Sequence, residues 1–84
     1  MGQKEKLIRK LKSMPKDFTF DDAARLLGCL SYSMSHKGKT SGSRVIFTSE
    51  QYPPILLHKP HPRKELLEYQ IRQLIETLEQ EGLI

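Results

Sequence analysis

The sequence has few of the features that mark secreted, membrane or metal-binding proteins. Its one cysteine, Cys29, cannot form an internal disulfide, so a reducing compartment is expected. No apolar run approaches the roughly 20 residues of a membrane span, and no signal-peptide core follows the start. Three histidines and one cysteine at these spacings match no zinc pattern, so neither a metal nor another cofactor is predicted. We therefore expect a cytoplasmic protein without a membrane association.

Acidic residues are scarce in the middle of the chain. Residues 31–64 contain Glu50 as their one acidic residue against six basic ones, and all three histidines also fall there. The basic residues are Lys37, Lys39, Arg44, Lys59, Arg63 and Lys64. Lysine and arginine neutralise phosphates, and histidine exchanges protons near neutral pH. This stretch therefore predicts a phosphate-bearing partner, and RNA is the first hypothesis.

The chain length limits what kind of site the protein can hold. With 84 residues the chain is predicted to form one domain, 1–84, whose small core leaves no room for a large buried catalytic cavity. A shallow surface groove is expected instead, and such a groove suits a polymer better than a small metabolite.

Two helices are predicted before the first strand. The first lies within residues 1–16 and is stopped by Pro15; its apolar residues at helical spacing are Leu7, Ile8, Leu11 and Met14. Its many lysines form either a solvated face or an auxiliary contact to RNA. The second helix begins at Thr19, which with Asp22 fits a capping box, and Gly28 is predicted to end it in the left-handed conformation. Cys29 is interpreted as a small core residue.

Three strands and a helix are predicted to follow. Alternation from Ser31 to His36 indicates the first strand, with Tyr32, Met34 and His36 on one side. Val45 and Phe47 share the inner side of the second strand, and their aromatic and apolar side chains are expected in the core. Pro53 and Pro54 interrupt pairing before a third strand at 55–57. The last helix carries an apolar stripe, a Glu68 and Arg72 ion pair, and Gly82 at its end; the stripe consists of Leu67, Ile71, Leu74, Ile75 and Leu78.

The order helix, helix, three strands, helix predicts an α+β domain of order ααβββα. Its antiparallel sheet is expected to have one face packed by helices and the other free to bind.

Three further features occur in a fixed order: Gly42-Ser43-Arg44 followed by an aromatic-bearing strand, a Pro-His-Pro segment at 60–62, and the closing helix. Together they resemble the HicA toxins. The resemblance covers residues 19–84, and the basic helix at 1–16 looks like an addition to that core. It implies a double-stranded-RNA-binding-domain-like fold, an mRNA interferase activity, and a cognate HicB-like antitoxin as partner.

One position departs from the family pattern. HicA toxins have Gly-Ser-His, and the best match here places Arg44 where the histidine is expected. Arg44 can hold a phosphate bidentately, but it cannot serve as a general base at neutral pH. His61, which matches the Pro-His segment and lies between two prolines, is the first candidate for proton transfer. His36 and His58 are lesser candidates, and each could instead be a hydrogen-bonded residue at the sheet edge.

The basic stretch predicts RNA binding, and the resemblance implies a toxin of a type II toxin–antitoxin system that cleaves mRNA, here without a metal. The predicted RNA-binding residues are Lys37, Lys39, Gly42, Ser43, Arg44, Lys59, Arg63 and Lys64. The antitoxin is expected to present acidic or extended segments to residues 37–64. A non-catalytic RNA-binding protein of the same fold is the alternative. A DNA-binding helix-turn-helix protein is a weaker one, because Asp21 and Asp22 would meet phosphates at the start of the second helix.

Overall fold

A computed structural model describes residues 2–35, 44–60 and 63–84 of the chain. Within these ranges the elements are α1 (Gln3–Lys12), α2 (Phe20–Cys29), β1 (Ser33–Ser35), β2 (Arg44–Thr48), β3 (Ile55–His58) and α3 (Glu68–Gln80). The predicted α+β class and the order ααβββα are confirmed. None of the helices in the described ranges is both long enough and apolar enough to span a membrane.

Helix α1 ends earlier than the sequence suggested. It buries Leu7 and Leu11, as its spacing predicted, but its last residue is Lys12 rather than the residue before Pro15. Met14 already has a left-handed backbone, with φ of 54°. A residue before proline is disfavoured in the right-handed helical conformation, so Pro15 acts on the helix through Met14.

Helix α2 begins with the predicted capping box. The Asp22 N–H donates to Thr19 Oγ1 over 3.1 Å, and the Thr19 N–H donates to Asp22 Oδ2 over 3.2 Å. Lys10 Nζ lies 3.4 Å from the same Asp22 oxygen, which ties α1 to the start of α2. Burial disfavours the charged form of Asp22, but the bonds from Thr19 and the charge of Lys10 outweigh it and lower the Asp22 pKa below its usual 3.8.

We expect Asp22→Asn to lower the free energy of unfolding by about 0.5–1 kcal/mol at pH 7, because the amide oxygen still accepts from Thr19 but the charge is lost. A lowered folded-state pKa gives stability that is present above pH 3.8 and is lost as the pH falls through the folded-state value. The difference in free energy of unfolding between the parent protein and Asp22→Asn should therefore be smaller at pH 3 than at pH 7. Urea unfolding at both pH values measures this difference, with Glu50→Gln at an exposed residue as the control. Equal differences at both pH values would contradict the assignment.

The end of α2 differs from the prediction in two ways. Gly28 lies inside the helix, and the left-handed residue is Ser31, with φ of 74°. Cys29 is exposed, so its interpretation as a core residue was wrong. The helix continues to Cys29, and at helical spacing Leu30 then lies on the same face as Ala23 and Leu27 while Cys29 points away from it.

The three strands form an antiparallel sheet in the order β1-β2-β3. Strand β1 begins at Ser33, two residues later than predicted, so Tyr32 lies before it. The Tyr32 hydroxyl donates to the Pro53 carbonyl over 2.9 Å, and its ring stacks on the Tyr52 ring. Met34 was predicted to share a buried side with Tyr32, but it is 38% exposed because β1 is an edge strand. His36 lies outside the described residues.

The sheet has one buried and one open face, as predicted. Phe47, Ile55 and Leu57 are buried on the inner face, where the Phe47 ring meets the Phe20 ring of α2 at 6.1 Å between centroids. Tyr32 and Phe47 are buried in the core, as predicted, so neither ring is available to stack on an RNA base. We call the opposite side the outer face; by strand register it consists of Ser33, Ser35, Arg44, Ile46, Thr48, Leu56 and His58.

Helix α3 covers the inner face with the predicted stripe. Ile71, Leu74 and Leu78 are buried, Arg72 Nη2 donates to Glu68 Oε1 over 2.9 Å, and Gly82 ends the helix with φ of 74°. Leu67 was predicted within the stripe, but it is the helix N-cap and is 38% exposed, while Leu66 takes the buried position.

Candidate nucleic-acid interface

Arg44 and His58 are brought together by the strand register. Arg44 is the first residue of β2, His58 is the last of β3, and their Cα atoms are direct partners in the antiparallel pair. Side chains opposite each other in such a pair have Cβ atoms about 4.5–5.5 Å apart and lie on the same face. Both residues are exposed. Arg44 and His58 therefore share one end of the outer face.

The basic residues after β3 lie beside the start of α2. A cavity of about 180 Å³ is lined in part by Lys59, Arg63 and Lys64, and Lys59 Nζ is 5.7 Å from the centre of the Phe20 ring. Arg63 donates to the Glu65 carbonyl over 3.2 Å. Lys59 follows His58 directly in the chain and adds positive charge at this end of the sheet. Asp21 also lines the cavity and Glu65 pairs with Arg63, so part of that charge is offset.

Two backbone hydrogen bonds hold this basic segment in place. The Phe20 N–H donates to the Lys64 carbonyl over 3.1 Å, and the Leu66 N–H donates to the Phe18 carbonyl over 2.8 Å. The segment therefore runs against the entry to α2 instead of leaving the protein surface. Paired backbone groups of this kind fix the position of a loop, which is what a binding site on a small domain requires.

Gln70 positions the end of β3, and the sequence reasoning missed it. Its side chain is buried; Oε1 accepts from the Leu67 N–H and Nε2 donates to the His58 carbonyl, each over 2.8 Å. The same residue thus completes the start of α3 and holds the backbone of His58. The sequence signal was a glutamine three residues after the N-cap, but with leucine at the N-cap the capping-box pattern was incomplete.

We expect Gln70→Leu to lower the free energy of unfolding by about 2–3 kcal/mol, because it leaves the Leu67 N–H and the His58 carbonyl without their partner. Gln73→Leu is the matched control, since Gln73 is an exposed glutamine on the same helix and should change stability by about 0.5 kcal/mol or less. Urea denaturation of both variants measures the difference. Equal effects for the two would show that the Gln70 hydrogen bonds contribute no net stability.

Six of the residues predicted for the site lie outside the described ranges: His36, Lys37, Lys39, Gly42, Ser43 and His61. The geometry of the candidate site is therefore given by Arg44, His58, Lys59, Arg63 and Lys64. Among residues 2–35, 44–60 and 63–84 there is no cluster of three or more histidine, cysteine, aspartate or glutamate side chains suited to a metal ion. The expectation that the protein uses no metal stays a prediction.

Comparison with known families matches the part of the chain that carries this geometry. A family model described as the HicA toxin of bacterial toxin–antitoxin systems matches residues 34–83, which is well over half of the 84-residue chain. The chain belongs to the HicA toxin family. No curated protein sequence and no solved structure matches it significantly.

The HicA match spans the sheet except for its first residue, Ser33, and includes α3 and every candidate site residue. Membership in this family of toxin–antitoxin toxins makes the chain a toxin and supports an antitoxin as its partner. Helices α1 and α2 precede the matched residues. The division into an added helix at 1–16 and a core at 19–84 stays a prediction.

Proposed function

We propose that this HicA toxin binds RNA across the end of the outer face and cleaves mRNA without a metal ion. The observation that supports the proposal is the register of β2 and β3, which puts an exposed arginine, Arg44, opposite an exposed histidine, His58. An open face on a helix-backed antiparallel sheet also fits the double-stranded-RNA-binding-domain-like fold that we propose. Because mRNA is the proposed substrate, the proposed place of action is the cytoplasm.

Metal-free RNA cleavage is an intramolecular transesterification, in which the phosphorus exchanges its bond to the 5′-oxygen for a bond to the neighbouring 2′-oxygen. A base takes the proton from a 2′-hydroxyl, the 2′-oxygen bonds to the adjacent phosphorus, and the bond from phosphorus to the 5′-oxygen breaks. An acid gives a proton to the departing 5′-oxygen, and the products are a 2′,3′-cyclic phosphate and a 5′-hydroxyl. Positive side chains stabilise the doubly charged phosphorane between these steps.

The described residues supply two of these roles in one place. Arg44 is suited to bind two phosphate oxygens and to stabilise the phosphorane, because its planar guanidinium donates in parallel and stays charged. His58, opposite Arg44, is suited to carry the proton to or from one of the two reacting oxygens. His61 remains a candidate for the other proton transfer, and His36 a lesser one. Lys59, Arg63 and Lys64 would bind flanking phosphates.

A second candidate function is RNA binding without cleavage. It is favoured by Arg44, which occupies the position where the HicA pattern has histidine and which cannot accept a proton at neutral pH. The same basic residues would then hold RNA at the outer face, and inhibition would follow from occupancy of the RNA rather than from its cleavage.

Incubation of the purified protein with a long single-stranded RNA in EDTA separates the two functions. We expect the parent protein to produce fragments ending in 2′,3′-cyclic phosphate, and His58→Ala to cleave about 10²- to 10⁴-fold more slowly while still shifting the RNA in a gel. His61→Ala and His36→Ala are tested in parallel. Intact RNA that is nevertheless bound by the parent protein would establish the second function, and cleavage by His58→Ala at the parent rate would remove His58 from the chemistry.

A further inference from the structure

The sheet has a second surface feature, which lies along β3 next to the basic end. A groove of about 250 Å³ runs between β3 and α3, lined by residues 54–57 and by Gln70, Gln73, Leu74, Glu76 and Thr77. Strand β3 is an edge strand, with β2 as its only strand neighbour in the described part of the chain. The groove therefore borders the free edge of the sheet, and helix α3 forms its other wall.

The free edge of β3 offers backbone groups to this groove. The His58 carbonyl accepts from Gln70 of α3, and from this bond we infer that it is directed to the free edge of β3 and not to β2. Alternate residues of a strand direct their backbone groups to the same edge, which places the N–H and carbonyl of Leu56 on this side as well. Among the described residues, no loop or side chain is hydrogen-bonded to Leu56 there. An unpaired donor and acceptor at an edge form a template for an added strand.

The lining decides what kind of partner fits. Ile55, Leu57 and Leu74 supply an apolar floor, and Glu76 is the one charged side chain among the lining residues that the structure describes. A phosphate polymer would be repelled by Glu76, while the opposite charge would be attracted. The basic Arg44 and His58 end of the sheet has the reverse preference. The occupant that matches an edge strand, an apolar floor and an acidic rim is an extended protein segment with alternating apolar side chains and a lysine or arginine.

We propose that an extended strand of the antitoxin pairs with the free edge of β3 and lies in the groove against α3. The proposal rests on the assignment of the chain as a toxin with an antitoxin partner, but not on RNA cleavage. The added strand hydrogen-bonds to Leu56, places an apolar side chain over Leu57 and Leu74, and pairs a basic side chain with Glu76.

Hydrogen exchange tests the strand pairing without any substitution. The probe is the cognate antitoxin, co-expressed with the full chain and purified as the complex. We expect the Leu56 amide to exchange rapidly in the free toxin and at least 10-fold more slowly in the complex. An unprotected Leu56 amide in the complex would overturn the proposal. Protection in the toxin alone that rises with its concentration would also overturn it, because the occupant would then be a second copy of the chain.

Substitutions provide an independent test. Leu56→Pro removes the outward N–H while leaving the bonds to β2, whereas Leu56→Ala loses the same side chain and keeps the N–H. We expect the proline variant to weaken antitoxin binding at least 10-fold more than the alanine variant, and Glu76→Lys to weaken it more than Glu79→Lys, since Glu79 does not line the groove. Equal antitoxin affinity for Leu56→Pro and Leu56→Ala, or for Glu76→Lys and Glu79→Lys, would contradict the proposal. RNA cleavage by the free variants is measured separately, so a toxin that fails to cleave still reports on this interface.

Discussion

Replacing Arg44 with alanine is expected to lower the rate of RNA cleavage by about 10²- to 10³-fold, because a positioned donor to the charged phosphorane is lost. Arg44 begins β2 directly opposite His58, on the face that the helices leave open. The guanidinium is therefore suited to hold the scissile phosphate beside the proton carrier. The measurement is the single-turnover cleavage rate of a long RNA in EDTA, at protein concentrations that saturate the RNA.

Two control variants sharpen the Arg44 experiment. Arg44→Lys keeps the charge but not the bidentate geometry, so its cleavage rate should fall between those of the parent and the alanine variant. Arg72→Ala removes an arginine that is paired with Glu68 on α3 and should leave cleavage unchanged. A rate for Arg44→Ala equal to that of Arg72→Ala would show that Arg44 takes no part in the reaction.

The largest expected effect on stability comes from Phe47. Phe47→Ala should lower the free energy of unfolding by about 3–5 kcal/mol, because the ring is 2% exposed and joins the sheet to Phe20 of α2. Net stability is small in an 84-residue domain, so much of the variant would be unfolded at 37 °C. Thermal unfolding followed by circular dichroism measures the loss.

Ile46→Ala is the matched control for this prediction. Ile46 is the neighbouring residue on the same strand, but it lies half-buried on the outer face, so its truncation should cost about 1 kcal/mol. Similar costs for the two variants would contradict the assignment of Phe47 to the inner, helix-covered face.

The two proposals place RNA and the antitoxin strand on different parts of one small domain. RNA is proposed at the Arg44 and His58 end of the outer face, and the added strand at the free edge of β3 against α3. The strand order makes both possible, because β3 contributes His58 to the first surface and its unpaired edge to the second. Gln70 lies between them: it lines the groove and holds the His58 backbone.

Local sequence chemistry was sufficient where one short segment decides the outcome. The capping box of Thr19 and Asp22 and the end of α3 at Gly82 depend on contacts between near neighbours, and both were predicted correctly. The two faces of β2 followed from its period of two, since alternate side chains point to opposite sides. The predicted end of α2 failed because Gly28 is compatible with both a helix interior and a left-handed cap. The face of the helix that packs on the core, which buries Leu30, determined the result.

The sequence by itself determined the class and order of the elements, the family, and the chemical types available in the basic stretch, because these depend on composition, local periodicity and motif order. Only the tertiary structure decided which of these side chains meet. Arg44 and His58 are far apart in the chain and become neighbours through the strand register, which depends on how the sheet packs on α2 and α3. The role of Gln70 was decided in the same way, since its partner at His58 lies on another element.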